Sequence, residues 1–253
     1  MQHNDIMINH YLTSANAAAY FELIDVAISG YTKAIALYFE SQKSTVGLVS
    51  VYYKRAMVYI FQQEYMNAWS DLMMVIALDP HYATAYIVRA HLYYCFGQFE
   101  MMIRDLTKAI TLNPIGQNAF DATLYNNRGM AYYHIGNYKQ SINDLSKAIA
   151  LDPTDPTFYI SRGNVYYLMS DYKNMFADYK KVLTFYPEGV LTHNTPDDLL
   201  DMKSILKKVR DSLRAKKISV TSNSIFRSHG RRRNNGYSPE QSIRRNDYYK
   251  QDR

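Results

Sequence analysis

The chain has 253 residues, of which 47% are hydrophobic, with 10 glycines, 7 prolines and a formal net charge of +6. This composition is too apolar for a wholly disordered protein and too poor in glycine and proline for a fibrous one, so a folded core is expected. The single cysteine, Cys95, cannot form a disulfide within the chain, and residues 1–10 contain no lysine or arginine of the kind that opens a secretory signal. A reducing, cytoplasmic setting is therefore expected, and no apolar run approaches the roughly 20 residues that span a bilayer.

The first predicted elements lie in residues 1–48. Residues 1–14 are taken as an N-terminal segment outside the repeated structure. Residues 15–48 are predicted to form a degenerate helical hairpin, because Gly30 and Tyr31 suit a turn and Ala34 and Tyr38 are spaced as on one face of a second helix.

The next segment, residues 49–187, is dominated by internal repetition. A proline ends each repeated unit, at Pro80, Pro114, Pro153 and Pro187, with intervals of 34, 39 and 34 residues. The units are residues 49–82, 83–121, 122–155 and 156–187. When each proline is counted as position 32 of its unit, positions 4 and 11 are always Tyr, position 8 is Ala or Gly, and position 17 is aromatic. These steps of three and four predict helices, and each predicted hairpin must stack on the next to cover its apolar face.

This pattern resembles the tetratricopeptide repeat, a helix-turn-helix unit of about 34 residues. The third unit is the closest to the family pattern, with Tyr125, Gly129, Tyr132, Gly136 and Tyr138 at the expected positions. The resemblance implies an all-α protein, a right-handed α-solenoid of stacked helical hairpins. The chain departs from the pattern by a five-residue insertion within residues 114–121 and by an arginine at position 7, where the family usually has leucine.

That arginine recurs in phase with an aspartate at position 23 of every unit. The four predicted pairs are Arg55 with Asp71, Arg89 with Asp105, Arg128 with Asp144, and Arg162 with Asp178. Positions 7 and 23 lie on the two different helices of a hairpin, so we predict a ladder of structural salt bridges, either inside each unit or to the next one. A guanidinium suits this role because it can bind a carboxylate through two parallel hydrogen bonds. The alternative is a row of arginines that binds an anion.

The resemblance further implies a concave groove, lined by the first helix of each unit, that binds a peptide or helix of a partner protein. The family's groove positions correspond here to Tyr53, Lys54, Met57, His91, Tyr94, Asn126, Asn127, Met130, Tyr133, His134, Asn164 and Tyr167. This surface is aromatic, carries several amides and is nearly uncharged. The alternative is that the groove is only solvated or is filled by the protein's own tail.

Chaperone-binding members of the family hold a C-terminal carboxylate with Lys and Asn on one unit, Asn on the next, and Lys and Arg on the third. Here Asn127 fits the middle role, but the flanking positions are Ile87 and His91 before it and Thr157 and Ser161 after it. The clamp is broken, so an acidic chaperone tail is a poor candidate ligand.

A C-terminal capping helix is predicted for residues 195–215. Thr195 and Pro196 suit a helix start, and the apolar residues from Leu199 to Leu213 have helical spacing. Such a helix closes the last repeat or, alternatively, recruits a partner.

Residues 216–253 are predicted to be a disordered basic tail. They carry ten basic and three acidic residues, so the rest of the chain has a net charge of only −1. The candidate anion-binding side chains of the tail are Arg231, Arg232, Arg233, Arg244 and Arg245. They are predicted to bind RNA, to serve in nuclear import, to bind an anionic membrane surface, or to do none of these.

Catalytic and metal-binding signatures are missing from the sequence. There is no GxxxxGK[ST], GxGxxG, GxSxG or HExxH motif, and the seven histidines show no ligand spacing with one another or with Cys95. The expected function is a noncatalytic scaffold or adaptor for protein partners, without cofactor or metal. The competing hypothesis is an RNA-associated or nuclear adaptor that uses the tail.

Overall fold

A computed structural model describes residues 2–41, 45–112 and 119–185. These residues form ten α-helices and no β-strand, which confirms the predicted all-helical class. The helices are α1 (Gln2–Tyr20), α2 (Ile24–Glu40), α3 (Thr45–Phe61), α4 (Tyr65–Leu78), α5 (Ala83–Cys95), α6 (Phe99–Leu112), α7 (Ala119–His134), α8 (Tyr138–Leu151), α9 (Pro156–Leu168) and α10 (Tyr172–Phe185). The predicted capping helix of residues 195–215 and the basic tail of residues 216–253 lie outside the described residues.

The chain divides into two compact units, and the division falls between residues 155 and 156. The first contains α1 to α8 as four consecutive hairpins. In it each hairpin also packs on the next, because α2 contacts α3, α4 contacts α5, and α6 contacts α7. The described part of the second unit is the single hairpin of α9 and α10. The packing within the first unit is that expected of an α-solenoid, in which each hairpin covers the apolar face of the next.

The core of each hairpin is built from a small residue on the first helix and a large one on the second. Ala56 and Leu72 fill these places in the hairpin of α3 and α4, and both are completely buried. In the second unit Gly163 faces Tyr179, and a Cβ at residue 163 would overlap the tyrosine ring. The large side chain at position 24 therefore fills the space left by the small residue at position 8.

The turn inside each hairpin uses one residue with positive φ at position 15. Gly97 and Gly136 occupy it in two hairpins, where φ is 68° and 77°. Glu22, Gln63 and Ser170 occupy it in the other three, with φ between 58° and 63°. Because a residue with a Cβ pays a steric cost in this region, these three turns are held by the packing of the helices on either side.

The N-terminal hairpin differs from the prediction. Helix α1 runs without interruption through the expected boundary between residues 14 and 15, and the turn lies at residues 21–23 instead of at Gly30. Gly30 lies inside α2, where a Cβ would come within 2.8 Å of the Cβ of Ala15. This glycine permits a close approach of two helices, a role that the sequence pattern does not distinguish from a turn.

Two predicted unit boundaries also differ from the helix starts. Helix α3 begins at Thr45, before the predicted start at residue 49, and α7 begins at Ala119, before residue 122. The residues added to each helix contain no proline, so nothing in them stops the helix from extending upstream. Helices α5 and α9 begin at residues 83 and 156.

Candidate functional site

The structure joins each arginine at position 7 to the aspartate of its own hairpin. In every pair Nε donates to Oδ2 and Nη2 donates to Oδ1, over distances from 2.7 to 3.0 Å. The aspartate side chains are only 2–7% exposed and the arginine side chains 12–20%. Each pair therefore holds the two helices of one hairpin together by a nearly buried, two-point contact.

The third nitrogen of the guanidinium reaches back to the preceding hairpin. Nη1 of Arg55 donates to Thr32 Oγ1 over 2.8 Å, and Nη1 of Arg128 donates to Thr107 Oγ1 over 3.1 Å. In Arg89 the acceptor is the sulfur of Met73. Within the first unit the arginines thus connect neighbouring hairpins as well as the two helices of one hairpin.

Tyrosines at positions 4 and 11 complete the surroundings of these arginines. The guanidinium carbon of Arg89 lies 5.6 Å from the ring centre of Tyr86 and 5.8 Å from that of Tyr93. The hydrogen bonds to Asp105 raise the pKa of Arg89 against the opposing effect of burial. Since two of its three nitrogens are bound to the aspartate, this guanidinium offers little to an external anion.

The predicted groove residues of the first unit are accessible to solvent to different extents. Lys54 and His134 are exposed, and the others on α3, α5 and α7 are half-buried, so none of the ten is part of the buried core. Lys54 is the only one with a permanent charge. Its Nζ donates to Asn16 Oδ1 of α1 over 3.1 Å.

Five rings on α5 to α8 form what we call the aromatic cluster: Tyr94, Phe99, Tyr133, His134 and Tyr138. The imidazole of His134 stacks on Phe99 with 4.3 Å between ring centres and 9° between ring planes. Tyr94 and Tyr133 lie edge-on to the same imidazole, at 6.3 and 5.2 Å. The cluster joins residues of two successive hairpins into one aromatic surface.

Both groove histidines favour the neutral state. Burial lowers the pKa of His91 below the usual value of 6.5. The side chain of His134 is partly open to solvent, but the rings packed against its imidazole remove enough water to lower its pKa as well. A neutral imidazole presents one donor and one acceptor. Burial likewise raises the pKa of Tyr133, whose hydroxyl therefore stays protonated and able to donate.

The predicted groove residues of the second unit are Asn164 and Tyr167, and both are exposed. Asn164 Oδ1 accepts a hydrogen bond from the hydroxyl of Tyr179. Part of the hydrogen-bonding capacity of Asn164 is therefore used within its own hairpin. Tyr167 packs against Tyr172 with 6.3 Å between ring centres.

Sequence reasoning missed two groups of residues. The first is a tyrosine-asparagine pair, formed by Tyr31 with Asn16 at 2.9 Å and by Tyr179 with Asn164. The sequence does signal this pair: position 24 is Tyr instead of Leu only in the two hairpins that have Asn at position 9. The second is Phe99 and Tyr138, for which the recurrent aromatic residue at position 17 is the signal.

The predicted anion-binding site of the tail, formed by five arginines from Arg231 to Arg245, lies outside the described residues. Within the described ranges no cluster of three or more His, Cys, Asp or Glu side chains could hold a metal ion. None of the described helices is long and apolar enough to cross a membrane.

Comparison with known proteins identifies the repeat. The tetratricopeptide repeat profile matches residues 83–115, and a second profile, described as TPR repeat, matches residues 129–170. No curated protein matches the sequence significantly.

Among solved structures the chain is similar to a MamA protein, with 20% identity and a TM-score of 0.63 over 75% of this chain and 98% of that one. It is also similar to residues 41 to the end of MamA from Desulfovibrio magneticus RS-1, with 16% identity and a TM-score of 0.62 over 71% and 94%. A third is YrrB, described as a TPR protein with an unusual peptide-binding site, with 16% identity and a TM-score of 0.62 over 77% and 90%. The repeat profiles, the phased hairpins and these shared folds agree, and the chain contains tetratricopeptide repeats at residues 83–115 and 129–170.

Proposed function

We propose that this protein is a noncatalytic interaction scaffold that holds an extended segment of a partner protein against the first helices of its repeats. One observation carries the proposal. On α5 and α7 the side chains at the groove positions stay half-exposed or exposed, are uncharged, and combine aromatic surface with hydrogen-bonding groups. Aromatic and amide groups of this kind suit the recognition of a peptide, since the rings contact side chains and the amides contact the backbone.

The charges around this surface support the same function. Arg89 and Arg128 lie on the same two helices, but their guanidinium groups are bound to Asp105 and Asp144. Lysine and arginine are missing from the groove positions where carboxylate-binding members of the family carry them. A partner that depends on a negative terminal carboxylate is therefore disfavoured. The similar fold of YrrB, described as having a peptide-binding site, is consistent with a peptide partner.

The proposal is tested by affinity capture with the full chain from cells that express it. The wild type is compared with Asn127→Ala/Tyr133→Ala, which changes the groove of α7 and leaves the tail intact. The matched control is Asn143→Ala/Phe39→Ala, since both of these side chains are exposed and both lie on the second helix of their hairpins, away from the groove positions. Far-ultraviolet circular dichroism checks that all three proteins fold.

We expect at least one protein, identified by mass spectrometry, to be retained by the wild type and the control and lost from the groove variant. If every captured protein is retained equally by the groove variant, the proposed function is refuted. If capture is lost only when residues 216–253 are removed, the tail and not the groove binds the partner.

A further inference from the structure

The aromatic cluster has a regular construction that narrows the kind of peptide it fits. In each of its two hairpins a tyrosine at position 12 packs against the aromatic residue at position 17. The ring centres lie 6.2 Å apart for Tyr94 and Phe99 and 6.4 Å apart for Tyr133 and Tyr138. His134 fills the space between the two pairs by stacking on Phe99. The result is a row of aromatic rings, with no aliphatic side chain among the five.

The cluster and the groove positions beside it contain no charged side chain. On α5 these positions hold Ile87, Val88 and His91, and on α7 they hold Asn126, Asn127 and Met130. The pKa of His91 is lowered by burial, so its imidazole adds no charge near neutral pH. A lysine or glutamate of a ligand placed here would lose water without gaining an opposite charge, which costs binding free energy. The complementary ligand is an uncharged one.

The hydrogen-bonding groups of this surface include donors that suit the free carbonyl groups of a ligand. The phenol hydroxyls, the asparagine amides and the neutral imidazoles each supply at least one donor and one acceptor. A polyproline II helix has no internal hydrogen bonds and leaves its carbonyls open, and its prolines have no N–H that needs an acceptor. Proline rings also pack well on flat aromatic rings, and grooves lined by aromatic residues are a general way of binding proline-rich segments.

We propose that the aromatic cluster, with Asn126 and Asn127, binds an uncharged, proline-rich segment of the partner in the polyproline II conformation. This inference rests on the proposed function and adds the chemical class of the ligand. The preformed polyproline II conformation reduces the entropy lost on binding, so a groove with few strong contacts still binds it.

The test is a fluorescence anisotropy titration of the full chain against fluorescein-labelled decaproline. The reference probes are a labelled Gly-Ser decapeptide, which is flexible, and a labelled Ala-Glu decapeptide, which is acidic. We expect decaproline to bind at least about tenfold more tightly than either reference, a difference of about 1.4 kcal/mol. Equal or weaker binding of decaproline would overturn the inference.

The ring surface is tested by variants of Tyr94 and Tyr133. We expect Tyr94→Leu/Tyr133→Leu to weaken decaproline binding by about tenfold or more, since two ring contacts with the ligand are lost. Tyr94→Phe/Tyr133→Phe keeps the rings and should weaken binding less than the leucine pair does. Phe39→Leu is the matched control, because Phe39 is 56% exposed and lies on α2, the second helix of its hairpin and outside the cluster. Unchanged affinity in the leucine pair would overturn the inference.

A second variant covers the case in which the leucine pair does not fold. The side chain of His134 is exposed, so His134→Ala should fold and still remove the ring between the two tyrosine pairs. We expect it to weaken decaproline binding at least about threefold, within the range of one ring contact. If decaproline fails to bind but groove-dependent capture of a partner persists, the inference is wrong and the proposed function stands. If both fail, the proposed function is wrong as well.

Discussion

Removal of one partner from the pair of Arg128 and Asp144 should destabilise the hairpin of α7 and α8 strongly. In Asp144→Ala the guanidinium loses hydrogen bonds of 2.7 and 3.0 Å and keeps the contact of 3.1 Å with Thr107 and the ring of Tyr125 at 5.6 Å. The side chain of Arg128 is 13% exposed, so water can replace part of what is lost. We therefore expect a cost near the lower end of the range for broken buried pairs, about 3 kcal/mol.

The reciprocal change should cost more. In Arg128→Ala the carboxylate of Asp144, which is only 2% exposed, loses its counter-charge and has little access to water. We expect a loss of about 3–5 kcal/mol. The double variant removes both charges at once. Its cost should therefore be smaller than the sum of the two single costs by about 2 kcal/mol, which is the coupling expected of residues in direct contact.

The assay is urea unfolding followed by circular dichroism, with hydrogen exchange of the α7 and α8 amides to detect local opening of this hairpin. The control is Asn143→Ala, because this residue is exposed on the same helix and should change the free energy of unfolding by less than about 0.5 kcal/mol. If neither single variant loses more than the control does, the salt bridge is not structural. If the double cost equals the sum of the single costs, the two side chains are not coupled.

Two further predictions concern the turns and the histidines. Both turns require positive φ, which glycine adopts without the steric cost of a Cβ. Gln63→Gly should therefore stabilise the protein by about 0.5–1 kcal/mol, and Gly136→Ala should destabilise it by about 1–2 kcal/mol. Unchanged midpoints of urea unfolding would contradict this. Since burial lowers the pKa of His91, the folded state binds its proton less tightly than the unfolded chain does. The stability that depends on a neutral His91 is therefore fully present above the usual pKa of 6.5. It is lost as the pH falls through the lowered pKa of the folded state. We expect His91→Gln to reduce the loss of stability between pH 7 and pH 5, and an equal loss in both proteins would contradict it.

Much of the fold can be predicted from the sequence because the same local pattern of residues recurs in each repeat. The recurrence of a small residue at position 8 and a large one at position 24 predicts which faces of two helices meet. The phase of Arg128 and Asp144 predicts that they approach each other. The same reasoning is wrong for Gly30, because glycine suits both a turn and a close helix contact, and only the position of α1 distinguishes the two.

Other features depended on contacts between separate hairpins, for which one sequence carries no direct signal. The phase of the charged residues left open whether each arginine binds its own hairpin or the next. The packed helices direct Nε and Nη2 to the aspartate of the same hairpin and Nη1 to the preceding one. The stacking of His134 on Phe99 likewise depends on how α6 and α7 pack. The sequence alone therefore determined the repeat, the helix faces and the charge pattern. The distance and angle between neighbouring hairpins, which follow from the packing of many side chains at once, decided which of these residues touch.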